Sequence, residues 1–191
     1  HYSKAVAQGF MGDGEGATES LFAAYDIDSA YLRGFFQLAR VLAVNGQIEA
    51  GLTILESEAL SKIINEAELN FQKGMFFFNA GDYYNALTYL EIIAANRPND
   101  FALRTVMYQA YKGLENEGMM AVTLEQLLKI DENRVIRDMP WVYREIGRIA
   151  ENAGLYQRAR EGYETYLQYV PNDPDADELR ARIKDWEGYG K

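Results

Sequence analysis

Between residues 67 and 100 the apolar positions fall into two blocks at helical spacing, parted by a short polar break. Leu69, Phe76 and Phe77, with Lys73 in phase between them, predict a first helix, and Asn79-Ala80-Gly81 stops it. Glycine suits the left-handed residue just past a helix end because it has no Cβ to clash. Asp82 follows as a cap whose carboxylate accepts the unpaired N–H groups of the next helix. That helix carries Ala86, Leu87, Leu90, Ile93 and Ala94 on one stripe, and Asn96-Arg97-Pro98-Asn99-Asp100 ends it, since proline cannot continue a helix. The pattern predicts a helical hairpin.

The same pattern returns over 140–173. Tyr143, Ile146, Gly147 and Ala150 mark its first helix, Asn152-Ala153-Gly154 its stop, Ala159, Tyr163, Tyr166 and Leu167 its second helix, and Pro171-Asn172-Asp173 its end. Gly74, Gly81, Ala86 and Pro98 stand at offsets of 7, 5 and 12, and Gly147, Gly154, Ala159 and Pro171 at the same offsets. A fixed period of this length marks stacked helical units, each unable to bury its apolar face alone. Two weaker copies are in phase with these. Residues 101–134 carry Met107, Tyr111, Leu124, Leu127, Leu128 and Ile130, but place Tyr108 and Met120 in the two slots that are small elsewhere and lack a glycine at the stop. Their bulk predicts a wider helix crossing. Residues 32–65 carry Leu38, Ala39, Leu42, Asn45-Gly46, Gly51 and Leu55, without a closing proline. Val135 to Met139 are expected to extend the fourth copy's first helix or the loop before it.

Both ends differ from the repeats. A terminal helix over 175–187 has one apolar stripe (Leu179, Ile183, Trp186), with acidic residues in its first turn, where the helix dipole favours them; it reads as a polar-backed cap. Residues 1–31 are read as an irregular or partly helical segment. Tyr2 to Met11 would be half of an incomplete earlier repeat, Gly12-Asp13-Gly14-Glu15-Gly16 a flexible break, and Thr18 to Tyr25 a short helix.

Small residues in each first helix, glycine at the turn, alanine early in the second helix, an aromatic or leucine four residues later and a final proline resemble the tetratricopeptide repeat (TPR) family. Gly74, Gly81, Asp82, Tyr83, Ala86 and Pro98 carry the resemblance in one copy, and Gly147, Gly154, Tyr156, Ala159, Tyr163 and Pro171 in the other. The resemblance implies an all-α fold, a right-handed superhelical solenoid of antiparallel helix hairpins over 32–173 with a C-terminal capping helix. It implies first helices lining a concave groove, second helices on the convex back, and binding of peptides or partner proteins rather than catalysis.

Phase then selects groove-facing residues, opposite the hairpin crossings. These are Phe36, Arg40 and Val44 in the first copy; Phe71, Met75, Phe78 and Asn79 in the second; Thr105, Gln109 and Lys112 in the third; and Arg144, Arg148 and Asn152 in the fourth. Phe71, Met75 and Phe78 share a face and would form an apolar pocket for a partner's hydrophobic anchor; packing against neighbouring repeats is the alternative. Phe76 and Phe77 would point into neighbouring helices. Arg40, Lys112, Arg144 and Arg148 would capture an acidic side chain or a C-terminal carboxylate; the alternative, which the reading favours, is a set of solvated or salt-bridged surface groups. Relatives that clamp chaperone tails use a specific Lys and Asn arrangement, whereas Phe36, Arg40, Gln72 and Thr105 stand here, so chaperone-tail binding is not supported.

Composition narrows the chemistry. The chain has 191 residues and a formal net charge of −10, which argues against nucleic acid as a partner because phosphate neutralisation needs clustered cations. It has no cysteine, which removes thiolate chemistry, and its one histidine is His1, so no internal histidine can serve a catalytic triad or a metal site. No catalytic, cofactor or metal residue is expected. No apolar run is long enough to span a membrane. The first residues, His1-Tyr2-Ser3, lack a methionine and are read as a processed or trimmed start, leaving cytoplasm or periplasm open. The reading is a non-enzymatic adaptor that binds a protein or peptide segment in a groove. The alternatives are a self-associating assembly module, forming a homo-oligomer, and the interaction segment of a larger protein.

Overall fold

A computed structural model describes residues 1–186. Its regular structure is helical, apart from one short 3-10 turn at Ser29–Tyr31. The chain divides into two compact units, His1–Pro98 and Asn99–Lys191. The division falls at the proline that ends the second copy.

Unit 1 begins with α1 (Tyr2–Phe10) and α2 (Gly14–Tyr25). They pack together as a complete hairpin, and α2 also lies along α4. The expected flexible break is a tight capped turn. Gly12 takes the left-handed conformation (φ +83°), and Asp13 Oδ1 accepts the Gly16 N–H at 2.8 Å. A side chain at Gly14 would meet the Ala50 backbone at 2.9 Å, so glycine permits the close approach of α2 to α4. The helix therefore begins four residues before Thr18, because a capping aspartate outweighs the low helix propensity of the glycines.

The next hairpin is α3 (Leu32–Val44) with α4 (Ile48–Leu55), followed by the short α5 (Glu58–Ile63). Ser57 interrupts the first copy's second helix and caps α5, its Oγ accepting the Leu60 N–H. The third hairpin joins α6 (Glu66–Asn79) and α7 (Tyr83–Asn96), with Asn65 and Asp82 as caps. Its turn residue Gly81 is left-handed at φ +78°. The core of the unit centres on Leu21, Phe35, Leu38, Leu42, Ile54, Leu60 and Phe76, all buried. Phe76 lies against Gly51 of α4, where any Cβ would stand 2.3 Å from its ring. Phe77 stacks on Tyr89 of α7, with centroids 5.8 Å apart.

Unit 2 holds α8 (Phe101–Gly113), α9 (Glu117–Asp138), α10 (Trp141–Asn152), α11 (Tyr156–Tyr169) and α12 (Ala176–Asp185). Helices α8/α9 and α10/α11 form hairpins and α12 packs on α11. Val135 to Asp138 belong to α9, not to the fourth copy's first helix or a loop. Asp131 (φ −160°, ψ 83°) kinks α9, and its carboxylate accepts the Arg134 N–H at 2.9 Å, restarting the helix. Val135 is buried in this second stretch. Around Gly147 the α10/α11 crossing is tight: Gly162, opposite it, stands so close that a Cβ would lie 2.8 Å from Gly147 N and Tyr143 O. Residue 187, where the capping helix was expected to end, lies outside the described residues, and α12 closes at Asp185.

Candidate partner-binding groove

In unit 1 the expected groove residues separate by environment. Phe36 is a core residue, only 9% exposed, and is corrected from groove to core. The reason is that α3 is apolar over more than one stripe, so phase alone does not identify the open face. Arg40 is partly buried, and its Nη2 donates to Gln72 Oε1 at 2.7 Å, while Gln72 Nε2 donates to Glu68 Oε1 at 2.6 Å. Arg40 Nε is buried with no hydrogen-bond partner among the described residues. Phe71, Met75 and Phe78 are half-buried on α6. The Phe78 ring meets Tyr83 edge-on at 5.7 Å. Asn79 turns back on its own helix, its Nδ2 donating to Met75 O.

In unit 2 three expected cations share one place. Lys112 on α8 and Arg144 and Arg148 on α10 line a cavity of about 520 Å³. Tyr108 and Trp141 form an aromatic wall, with ring centroids 5.3 Å apart. On the far side stand Tyr163 of α11, Asp175, and Glu178, Leu179 and Arg182 of α12. A second cavity of about 720 Å³ shares Lys112, Glu145 and Arg148 and reaches Glu115, Glu117 and Met120. Gln109 is exposed on α8 but lines neither of these cavities. Thr105 donates to Phe101 O within its own helix at 2.9 Å, and Asn152 Nδ2 donates to Glu117 Oε1 at 2.9 Å.

Most of these cations are already engaged. The Arg148 fork holds both Glu145 oxygens, at 2.9 Å each, and its Nη1 reaches Glu117 at 2.7 Å. Arg144 binds Asp173 at 3.4 Å and also Asp175. Arg182 bridges Glu151 at 2.9 Å and Glu178 at 2.6 Å. Lys112 has no hydrogen bond or ion pair among the described residues, though its charge acts on Glu145. Burial by itself would raise the Glu145 carboxyl, but hydrogen bonds from Arg148 and the charges of Arg148 and Lys112 outweigh it and hold the group low. Tyr108 is pushed up by burial and by Glu145, whose oxygen accepts its hydroxyl at 3.3 Å. Tyr163 is pushed up in the same way, by burial and by its bond to Glu151 at 2.7 Å. Forked guanidinium pairs of this kind recognise carboxylates by geometry as well as by charge.

Sequence reasoning missed the aromatic wall and the α12 side. Tyr108 was visible only as a bulky residue in a small slot; the structure buries its ring and uses its hydroxyl on Glu145. Nothing in the repeat pattern signals Trp141, which opens α10, or Arg182, which flanks the apolar stripe of α12 and reaches Glu151 of α10.

No family model matches the chain, and no curated protein is detectably similar to it in sequence. Solved structures of MamA are similar in fold. MamA AMB-1 superposes with a TM-score of 0.58 at 18% identity, covering 93% of each chain. A mutant form of MamA gives 0.57 at 18%, covering 92% of this chain and 94% of that one. A crystal structure of MamA gives 0.56 at 17%, covering 92% and 95%. At this identity the likeness is one of fold: the chain is all-α and TPR-like. No described helix is long and apolar enough to cross a membrane.

Proposed function

We propose that this protein is a non-enzymatic adaptor that binds a segment of a partner protein on the first-helix faces of its hairpins. The observation that carries the reading is the unit 2 cavity, where Lys112, Arg144 and Arg148 meet beside Trp141 and Tyr108. A cleft with aromatic walls and a few converging charges has the composition of a recognition site, in which aromatic anchors supply contact area and charged forks fix register. Within unit 1 the half-buried Phe71, Met75 and Phe78 supply a separate, apolar site, and Arg40 lies on the neighbouring helix α3 of that unit. The MamA-like fold supports a scaffold role without naming a partner.

The test is a peptide array probed with the intact protein, with Trp141→Ala/Lys112→Glu, and with Phe71→Ala/Met75→Ala/Phe78→Ala. The reading expects each set to lose most spots while far-UV circular dichroism stays helical. Unchanged binding by both folded variants sinks the groove assignment. A second reading, self-association, rests on Tyr84 and Ile92, 74% and 50% exposed and two turns apart on α7. Sedimentation across concentration decides it, and a monomer throughout removes it.

A further inference from the structure

One wall of the unit 2 groove is an acidic segment, and it belongs to the chain itself. Between α11 and α12 the sequence reads Asp173-Pro174-Asp175-Ala176-Asp177-Glu178-Leu179. Arg144 binds Asp173 and Asp175. Asp173 is fixed in turn by the Tyr166 hydroxyl, which donates to it at 2.6 Å. Its other oxygen accepts the Asp175 N–H at 2.8 Å. Arg182 ties α12 down through Glu151 and Glu178.

This attachment is slight. On α12 only Ala176 and Leu179 are buried. Trp186 rests on Tyr163 and Tyr156, with centroids 6.1 and 5.5 Å away. Asp173 and Glu151 are enclosed, at 12% and 23% exposed, but the Arg144–Asp175 and Arg182–Glu178 pairs are open, at 37% and 51% and at 44% and 63%. Ion pairs this open are weak and are screened by salt. The native segment also stops short. Arg148, one turn beyond Arg144 on α10, pairs only with carboxylates of α9 and α10, and Lys112 pairs with none among the described residues.

We propose that the unit 2 groove recognises acidic segments, and that Asp173 to Leu179 with α12 is an internal occupant which an acidic partner segment displaces. The partner's carboxylates take Arg144 from Asp173 and Asp175 and extend to Lys112, which the internal segment leaves open. Helix α12 then acts as a latch that sets the apparent affinity, because the competent groove is the one from which it has lifted. The inference rests on the adaptor reading of this groove and adds the partner's chemistry and the competition.

The probe is a labelled synthetic peptide with the sequence of residues 171–180, compared with a copy carrying Asn and Gln for its Asp and Glu. Binding is read by anisotropy on the whole chain, with Trp186 emission followed in a Trp141→Phe background. The expected result is at least fivefold tighter binding to Leu179→Ala/Arg182→Gln than to the parent, with Arg182→Gln alone as the milder variant if the double one is poorly folded. Arg144→Gln should bind at least tenfold more weakly, the neutral peptide should not bind, and Trp186 emission should shift to the red on binding. Equal affinity in parent and latch variants with unmoved Trp186 emission overturns the competition. Equal binding of the neutral peptide, or no binding of the acidic one, overturns acidic recognition. If the neutral peptide binds equally, its weakening by Lys112→Gln or Trp141→Ala leaves the groove reading standing alone, and no weakening ends it too; if the acidic peptide does not bind, the peptide array with Trp141→Ala/Lys112→Glu decides the groove reading by itself.

Discussion

Five hairpin turns show how much one residue can carry. Gly12, Gly46, Gly81 and Gly154 take left-handed φ values between +72° and +83°, while Glu115 occupies the corresponding turn between α8 and α9 at φ +54°. A side chain there crowds the backbone by about 1–2 kcal/mol, of which glycine's greater freedom in the unfolded chain returns part. Glu115→Gly is therefore expected to stabilise the protein by about 0.5–1 kcal/mol in urea titration; a loss would show that the carboxylate contributes more than the strain removes. Gly162 is the opposite case. Its neighbours are the Gly147 and Tyr143 backbones, which cannot rotate away, so Gly162→Ala should cost about 3 kcal/mol. Gly74→Ala meets Leu90 at 2.7 Å (Cδ2) and 2.9 Å (Cγ), a side chain rather than backbone, and should cost less. Gly74 and Gly147 were legible as small residues at a repeat offset. Gly162 was not, because it lies outside the family pattern and matters only where two particular helices cross.

At the scale of the helix, buried polar pairs set the pH range of stability. Tyr108, Tyr143 and Tyr163 are each raised, first by burial and then by a carboxylate at the hydroxyl: Glu145, Glu132 and Glu151. The folded protein keeps these protons where the unfolded chain would release them near pH 10. Their contribution is complete below that value and is lost as pH rises above it. The melting temperature should thus fall steeply above about pH 10, and less steeply in Tyr163→Phe. Glu145 has the reverse sign. Its lowered pKa stabilises the fold above the usual carboxylate range, and that contribution is lost as pH falls through the folded value. Arg148→Gln removes the fork that holds Glu145 low, so acid unfolding in this variant should lose that component. The sequence placed Arg144 and Arg148 on one face, but not their partners. The carboxylates that engage them include Glu117, Asp173 and Asp175, up to 31 residues away in the chain, and helix phase is silent at that range.

For the whole molecule the two-unit division gives a direct experiment. Both tryptophans, Trp141 and Trp186, belong to unit 2, whereas Phe76 is buried in the core of unit 1. Phe76→Ala should cost about 3–5 kcal/mol and shift the helical circular dichroism transition. Tryptophan emission, which reports unit 2 directly, should move less, because repeat stability is built from local interfaces. Coincident shifts would show that the chain melts as one unit. The apolar period, the glycine stops and the prolines determined by themselves that the chain is all-α, built from helical hairpins and TPR-like, because those signals act within one helix and its turn. The Gly14–Tyr25 helix was legible in principle through its Asp13 cap, whereas the continuation of α9 through Asp138, and Phe36 as core rather than groove, were decided by tertiary packing. So was the gathering of Lys112, Arg144, Arg148, Trp141 and Arg182 around one cavity. Each depends on which helix lies beside which, and at that distance a side chain's neighbours come from the stacking of helices, not from the period of its own.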